Sequence, residues 1–183
     1  MESLVVESSV VESSVNKRLV IKRISKTLLS VIAGCWLVTS ASAQEDNFLP
    51  FTTDSFARIK ADFAGQEFLV GLWSVDCPPC LVELDMMGEL LKTNPDLPFV
   101  LISTDPLDER VEAAEFLEDF DLAGRESWMF ADSFTERLRY TVDPNWFGEL
   151  PRSYFFDANH EMQSHSGIMT RELLESWFSR ELN

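Results

Sequence analysis

Residues 67–75, EFLVGLWSV, form a nearly continuous apolar run of strand length, and the chain then turns directly into DCPPC (76–80). An apolar run without polar alternation is the pattern of a strand buried on both faces, so a parallel central strand is expected here. The next stretch, PPCLVELDMMGELLKTN (78–94), opens on proline, which a helix tolerates best in its first turn. It also sets Leu81, Leu84, Met87, Leu90 and Leu91 at helical spacing. A buried strand, a tight turn and a helix therefore follow one another, with Cys77 at the helix mouth and Cys80 one turn further in.

The rest of the chain continues the alternation. DSFARIKADFA (54–64) predicts a short helix with Asp54 as a candidate N-cap. LPFVLISTD (97–105) predicts a second buried strand, DERVEAAEFLEDF (108–120) an amphipathic helix, SWMFA (127–131) a third strand, and SFTERLRYTV (133–142) a short helical piece. RSYFFDANHEMQSHSG (152–167) predicts two strands around the turn DANHE, and TRELLESWFSREL (170–182) a closing helix. This order indicates an α/β fold whose central mixed sheet is flanked by helices.

That domain is expected over residues 51–183, after a linker at 44–50. Ahead of it, Lys17, Arg18, Lys22, Arg23 and Lys26 precede the apolar LLSVIAGCWLV (28–38) and then TSASA. A basic region, an apolar region and an A-x-A site at Ala41 and Ala43 make the layout of a secretory signal peptide over residues 1–43, cleaved after Ala43. The protein is therefore expected to be periplasmic or otherwise exported. The tandem VVESSVVESS (5–14) is acidic where a signal peptide is basic, which suggests a mis-assigned start over residues 1–14. IAGC (32–35) resembles a lipobox that would make Cys35 a lipidated first residue, but the apolar run continues through Trp36, Leu37 and Val38. Without residues 1–43 the chain keeps 10 Lys and Arg against 28 Asp and Glu, a net charge near −18, which makes nucleic acid a poor partner.

Removing the leader leaves Cys77 and Cys80 as the two cysteines. A bridge across two residues removes little loop entropy, so the pair is not a structural staple and calls for a chemical role. The unpaired N–H groups and dipole of a helix start favour a thiolate at Cys77, while Cys80 is expected to be more enclosed. Pro78 and Pro79 remove two backbone donors and stiffen the turn.

FLVGLWSVDCPPCLVEL resembles the active-site segment of the thioredoxin superfamily, and CPPCLVE is similar to the exported TlpA/ResA-type thiol-disulfide oxidoreductases, with a glutamate three residues after the second cysteine. GELPRSYFFDANHEMQSHSG (148–167) is similar to that family's Gly-x-x-Pro block. The resemblance implies a thioredoxin-like fold and exchange of a Cys77–Cys80 disulfide with protein thiols. Cys77 would attack and Cys80 resolve. Pro151 would be a cis-proline shielding the disulfide, Leu150 would offer its main chain to the partner, Trp73 would pack beneath the site, and Glu83 would relay the proton of a thiol. It further implies a reductant role, as in cytochrome c maturation or related periplasmic thiol reduction, and a membrane electron donor of the DsbD/CcdA kind. A monomer without cofactor or metal is expected.

Four positions depart from the family pattern. Gly71 stands where thioredoxins carry a buried aspartate, Asp76 where an aromatic residue is usual, Asp85 where a helix-kinking proline is frequent, and Arg152 where threonine is commoner. Asp76 opposes a thiolate next to it, and Arg152 is a candidate to offset its charge. His160 and His165 fall in the predicted hairpin and are expected at the surface. The alternative is a Sco-like copper-handling protein, which ISTDPLDERVEAAEFL faintly resembles. That family, however, has three residues between its cysteines and a histidine before the late strand, and WFGELP has none.

Overall fold

The computed structural model describes residues 48–178; the expected signal peptide, Cys35, the VVESS repeat, the start of the expected linker and residues 179–183 of the expected closing segment lie outside the described residues. Six strands and five helices follow in order: β1 (Phe48–Phe51), α1 (Ser55–Asp62), β2 (Phe68–Trp73), α2 (Pro78–Thr93), β3 (Phe99–Pro106), α3 (Arg110–Asp119), β4 (Ser127–Phe130), α4 (Thr135–Val142), β5 (Arg152–Phe156), β6 (Met162–Ser166) and α5 (Arg171–Phe178). They form one sheet of order β1-β4-β3-β2-β5-β6. The first four are mutually parallel, whereas β5 runs antiparallel to β2 and β6 antiparallel to β5.

The apolar run at 67–75 is β2, and all six residues of the strand are buried because β3 and β5 pair with its two edges while helices cover both faces. Each large apolar side chain so buried is worth about 1.5–3 kcal/mol, which fixes β2 in the middle of the sheet rather than at an edge. Leu69 and Trp73 point to a core shared with α2, α3 and α5, through Leu84, Met87, Leu117, Leu174 and Trp177. Phe68, Val70 and Leu72 point to the other core, shared with α1 and α4 through Phe56, Ile59, Leu138 and Val142. The strand's period of two thus divides one sequence run between two layers of helices.

Two expectations are corrected. Residues 48–50, at the end of the segment whose sequence reads as a linker, open β1, which pairs with β4 from Phe48↔Ser127 to Phe51↔Phe130. Phe48 and Phe51 are buried, and Pro50 is tolerated because β1 is an edge strand. His160 is not a free surface residue: its ring stands edge-on to Phe68 and Phe156, and its Nε2 lies 3.0 Å from the Phe63 carbonyl.

Candidate active site

Cys77 and Cys80 form a disulfide with 5.2 Å between their Cα atoms. Cys77 is the N-cap of α2, and its sulfur accepts a 3.3 Å hydrogen bond from the Cys80 amide. That amide lies in the first turn of the helix and also donates to the Cys77 carbonyl at 2.9 Å, so it is shared with the sulfur; with the aligned dipole it will favour negative charge on Cys77 when the bond is reduced. Cys80 is 1 % exposed whereas Cys77 is half-buried, which makes Cys77 the sulfur a partner can reach. Pro78 and Pro79 are exposed at the rim, and Trp73 is buried in the core beneath, its indole N–H without a hydrogen-bond partner among the described residues.

Glu83 faces inward from α2 and is only 6 % exposed, so it is not a residue of the helix's solvated face. Its Oε1 accepts from the Ser153 hydroxyl at 3.2 Å, and its Oε2 from the Met169 amide at 2.7 Å. Burial pushes the carboxyl above the usual carboxylate range, opposed in part by the Met169 and Ser153 bonds and by the charge of His165. His165 pairs with Ser153 across the β5–β6 ladder, which places it on the Glu83 face. Gly71 is the partner of Ser153 on the other side, and a Cβ there would meet the Phe99 ring at 3.3 Å. A side chain at position 71 would therefore press on an aromatic ring, and the buried carboxylate beside Ser153 is that of Glu83 from α2.

The raised pKa has a definite sign in stability. A carboxyl that binds its proton more tightly folded than unfolded contributes stability below the ordinary carboxylate range, and loses it as pH rises through the raised value. Glu83→Gln keeps an acceptor for the Met169 amide and buries no charge. Urea titrations at about pH 4 and about pH 8 should show the variant gaining on the wild type at the higher pH. A difference independent of pH would contradict the shift.

The turn into the cysteines is held by a group that no sequence motif announced. Asp105, buried at the end of β3, accepts from the Ser74 hydroxyl at 2.6 Å, the Val75 amide at 3.0 Å and the Ser103 hydroxyl at 2.6 Å. Ser74 in turn accepts from the Asp76 amide at 3.2 Å. The signal available was the S-x-D alternation in ISTD, which puts Ser103 and Asp105 on one face of an otherwise apolar strand. This flank of the site is acidic. The Glu109 carboxyl is pushed up by partial burial and then by the charges of Asp105, Asp76, Asp108 and Glu112.

On the other flank the Leu150–Pro151 peptide is cis, and the Pro151 carbonyl accepts from the Gly167 amide at 3.0 Å. Pro151 is buried, and Leu150 packs against both cores at the sheet's end. The β2–β5 register pairs Leu72 with Arg152, which brings Pro151 to the end of β2 from which the cysteine turn departs. Arg152 does not offset Asp76. Its guanidinium pairs with Asp143 at 3.2 Å and Glu149 at 3.1 Å on the face of the second core. Asp85 is exposed on α2, whose helical span runs through it from Pro78 to Thr93. Among the described residues no group of three or more His, Cys, Asp or Glu is placed to hold a metal ion.

No family model matches the chain, and no curated protein matches it. Solved structures do. A secreted disulfide oxidoreductase of Mycobacterium tuberculosis, homologous to E. coli DsbE, aligns at 19 % identity and TM-score 0.53, over 66 % of this chain and 85 % of that one. A thioredoxin-family thiol:disulfide interchange protein of Chlorobium tepidum aligns at 18 % identity and TM-score 0.54, over 68 % and 85 %. A DsbF homologue of Corynebacterium diphtheriae aligns at 18 % and 0.52, over 66 % and 75 %. At such identities the likeness is one of fold, and it agrees with the strand order, the cysteine turn and the cis-proline: the described residues adopt the thioredoxin-like fold.

Proposed function

We propose that this protein is an exported thiol-disulfide oxidoreductase that exchanges the Cys77–Cys80 disulfide with cysteines of protein partners and works as a reductant. The observation that carries the reading is the disulfide at the start of α2, with one sulfur reachable, the other enclosed, and the buried Glu83 carboxyl one turn along the same helix. The similar structures described above, a secreted disulfide oxidoreductase and a thiol:disulfide interchange protein, support it.

In the reducing direction the Cys77 thiolate attacks one sulfur of a partner disulfide. The partner S–S bond breaks, a mixed disulfide forms, and the departing partner thiolate takes up a proton. Cys80 then gives its proton to Glu83 and attacks the Cys77 sulfur. The partner leaves as its second thiolate, the proton returns to it from Glu83, and the Cys77–Cys80 bond is restored. Two electrons have passed to the partner, so a dithiol donor must recharge the protein. A membrane carrier of the DsbD/CcdA kind fits that need, and apocytochrome c or another exported thiol protein fits the partner. The protein acts as a monomer, and nucleic acid has no part in the reaction.

The test is reduction of insulin by the reduced protein, together with its reduction potential. A potential nearer about −270 mV than about −120 mV is expected, since the latter marks a strong oxidant. Insulin left intact, or the oxidising potential, would overturn the reductant reading. Glu83→Gln should also shift the pH profile of exchange, because the resolving proton loses its acceptor.

A further inference from the structure

The loop from Asp143 to Leu150 connects α4 to cis-Pro151, and one side chain ties both of its ends. Arg152 is 11 % exposed. Its Nη2 pairs with Asp143 Oδ2 at 3.2 Å at the loop's start, and its Nη1 with Glu149 Oε1 at 3.1 Å at its end. Nη1 also donates to the Ser166 hydroxyl, which in turn donates to Glu149 at 3.2 Å, so β6 joins the same knot. The guanidinium lies over the Tyr154 ring, 4.9 Å from its centroid, and the Tyr154 hydroxyl donates to Asp143 at 3.1 Å. A planar fork reaching two carboxylates at once is what arginine supplies and lysine does not.

Between the two tethers the loop is sharply divided. Trp146 is buried, with its indole N–H donating to the Glu149 carbonyl at 2.9 Å, while its neighbour Phe147 is 88 % exposed. Single exposed apolar residues are ordinary. This one stands on a loop fixed at both ends that leads into the Leu150–Pro151 edge, at the end of β2 from which the cysteine turn departs. A loop held in one shape before a partner arrives spares that partner the cost of ordering it.

We propose that Arg152 is a positioning residue: by tying Asp143 to Glu149 it holds the 143–150 loop, with Phe147 outward, in the shape that receives a protein partner next to Cys77. The proposal rests on the oxidoreductase reading above. Arg152 touches neither sulfur and lies on the face opposite Glu83, so its influence is on docking rather than on bond exchange.

Reduced wild type and the variants Arg152→Met, Arg152→Lys, Glu149→Gln and Phe147→Ser are compared with insulin as the protein disulfide and oxidised glutathione as the small one. Arg152→Met should raise the KM for insulin about tenfold and change kcat less than about threefold, so that the ratio of insulin to glutathione efficiency falls by a similar factor. Arg152→Lys should fall between. Phe147→Ser should raise the insulin KM with its melting temperature held, since an exposed ring contributes little to folding. An unchanged insulin KM in Arg152→Met and Phe147→Ser, or equal losses with insulin and glutathione, would overturn the proposal. If Arg152→Met does not fold, Glu149→Gln and Phe147→Ser decide by the same criteria. A wild-type protein that exchanges with neither disulfide overturns the oxidoreductase reading itself, and the positioning role with it.

Discussion

Cys77→Ser should abolish insulin reduction and trap no partner, whereas Cys80→Ser should accumulate mixed disulfides through Cys77. The asymmetry follows from placement. The Cys77 sulfur caps α2 and accepts the Cys80 amide, so its thiolate is stabilised by a donor and a dipole that the Cys80 thiolate lacks. Cys80 is almost fully buried, and a buried thiol is held neutral and out of reach. Asp76 is exposed and works against the thiolate at Cys77, but its amide is turned inward onto Ser74, and water screens its carboxylate. Alkylation of the reduced protein at about pH 6.5 should therefore modify Cys77 more than about tenfold faster than Cys80. Without Cys80 the mixed disulfide has no internal thiol to release it, and mass spectrometry of the trapped adducts identifies the partner. Preferential alkylation of Cys80, or trapping by Cys77→Ser, would reverse the roles.

What the sequence made legible and what it did not divide along a physical line. β2 and α2 are legible because each is a local pattern, a continuous apolar run and a proline at a helix start with apolar residues at 3.6 spacing, whereas the cis peptide at Pro151 is legible only through the resemblance of the Gly-x-x-Pro block to the TlpA/ResA-type family. β1 was missed because four residues with proline among them carry no period of their own, and only the pairing with β4 makes them a strand. The environment of Glu83 was out of reach for the same reason. Its partners Ser153 and Met169 lie 70 and 86 residues away, so a residue equally suited to a wet helix face proved to be buried. Arg152 shows the converse error. Its charge was legible, but which carboxylate it meets depends on the face of β5 it occupies, and that face carries Asp143 rather than Asp76. Asp105 could have been suspected, since a carboxylate at the end of a buried strand has to be satisfied by something.

Gly88→Ala should be among the most damaging single-methyl changes in the domain. In an exposed helix the substitution would gain about 1 kcal/mol of helix propensity. Gly88, however, is buried on α2, and a Cβ there would stand 1.9 Å from the backbone oxygen of Phe120, the residue that ends α3. That oxygen cannot simply rotate away. Asp121, next in the chain, holds a left-handed φ of 58°, and the amides of Leu122 and Ala123 both return to the Leu117 carbonyl, at 2.7 Å and 3.0 Å. Leu122 is fully buried, and Lys92 of α2 reaches Asp121 at 2.8 Å, so the turn is fixed from both sides. The methyl must therefore push α2 and the end of α3 apart, opening the core around Leu84, Met87 and Leu117. Overpacking of this kind costs about 3 kcal/mol or more where neither side can yield, which exceeds the propensity gain and corresponds to a drop of roughly 10 °C in melting temperature. Asp85→Ala, at an exposed position of the same helix, should stay within about 0.5 kcal/mol of wild type and serves as the control. Urea denaturation followed by circular dichroism decides the matter: an alanine variant as stable as the wild type would mean that the two helices are not locked at this contact.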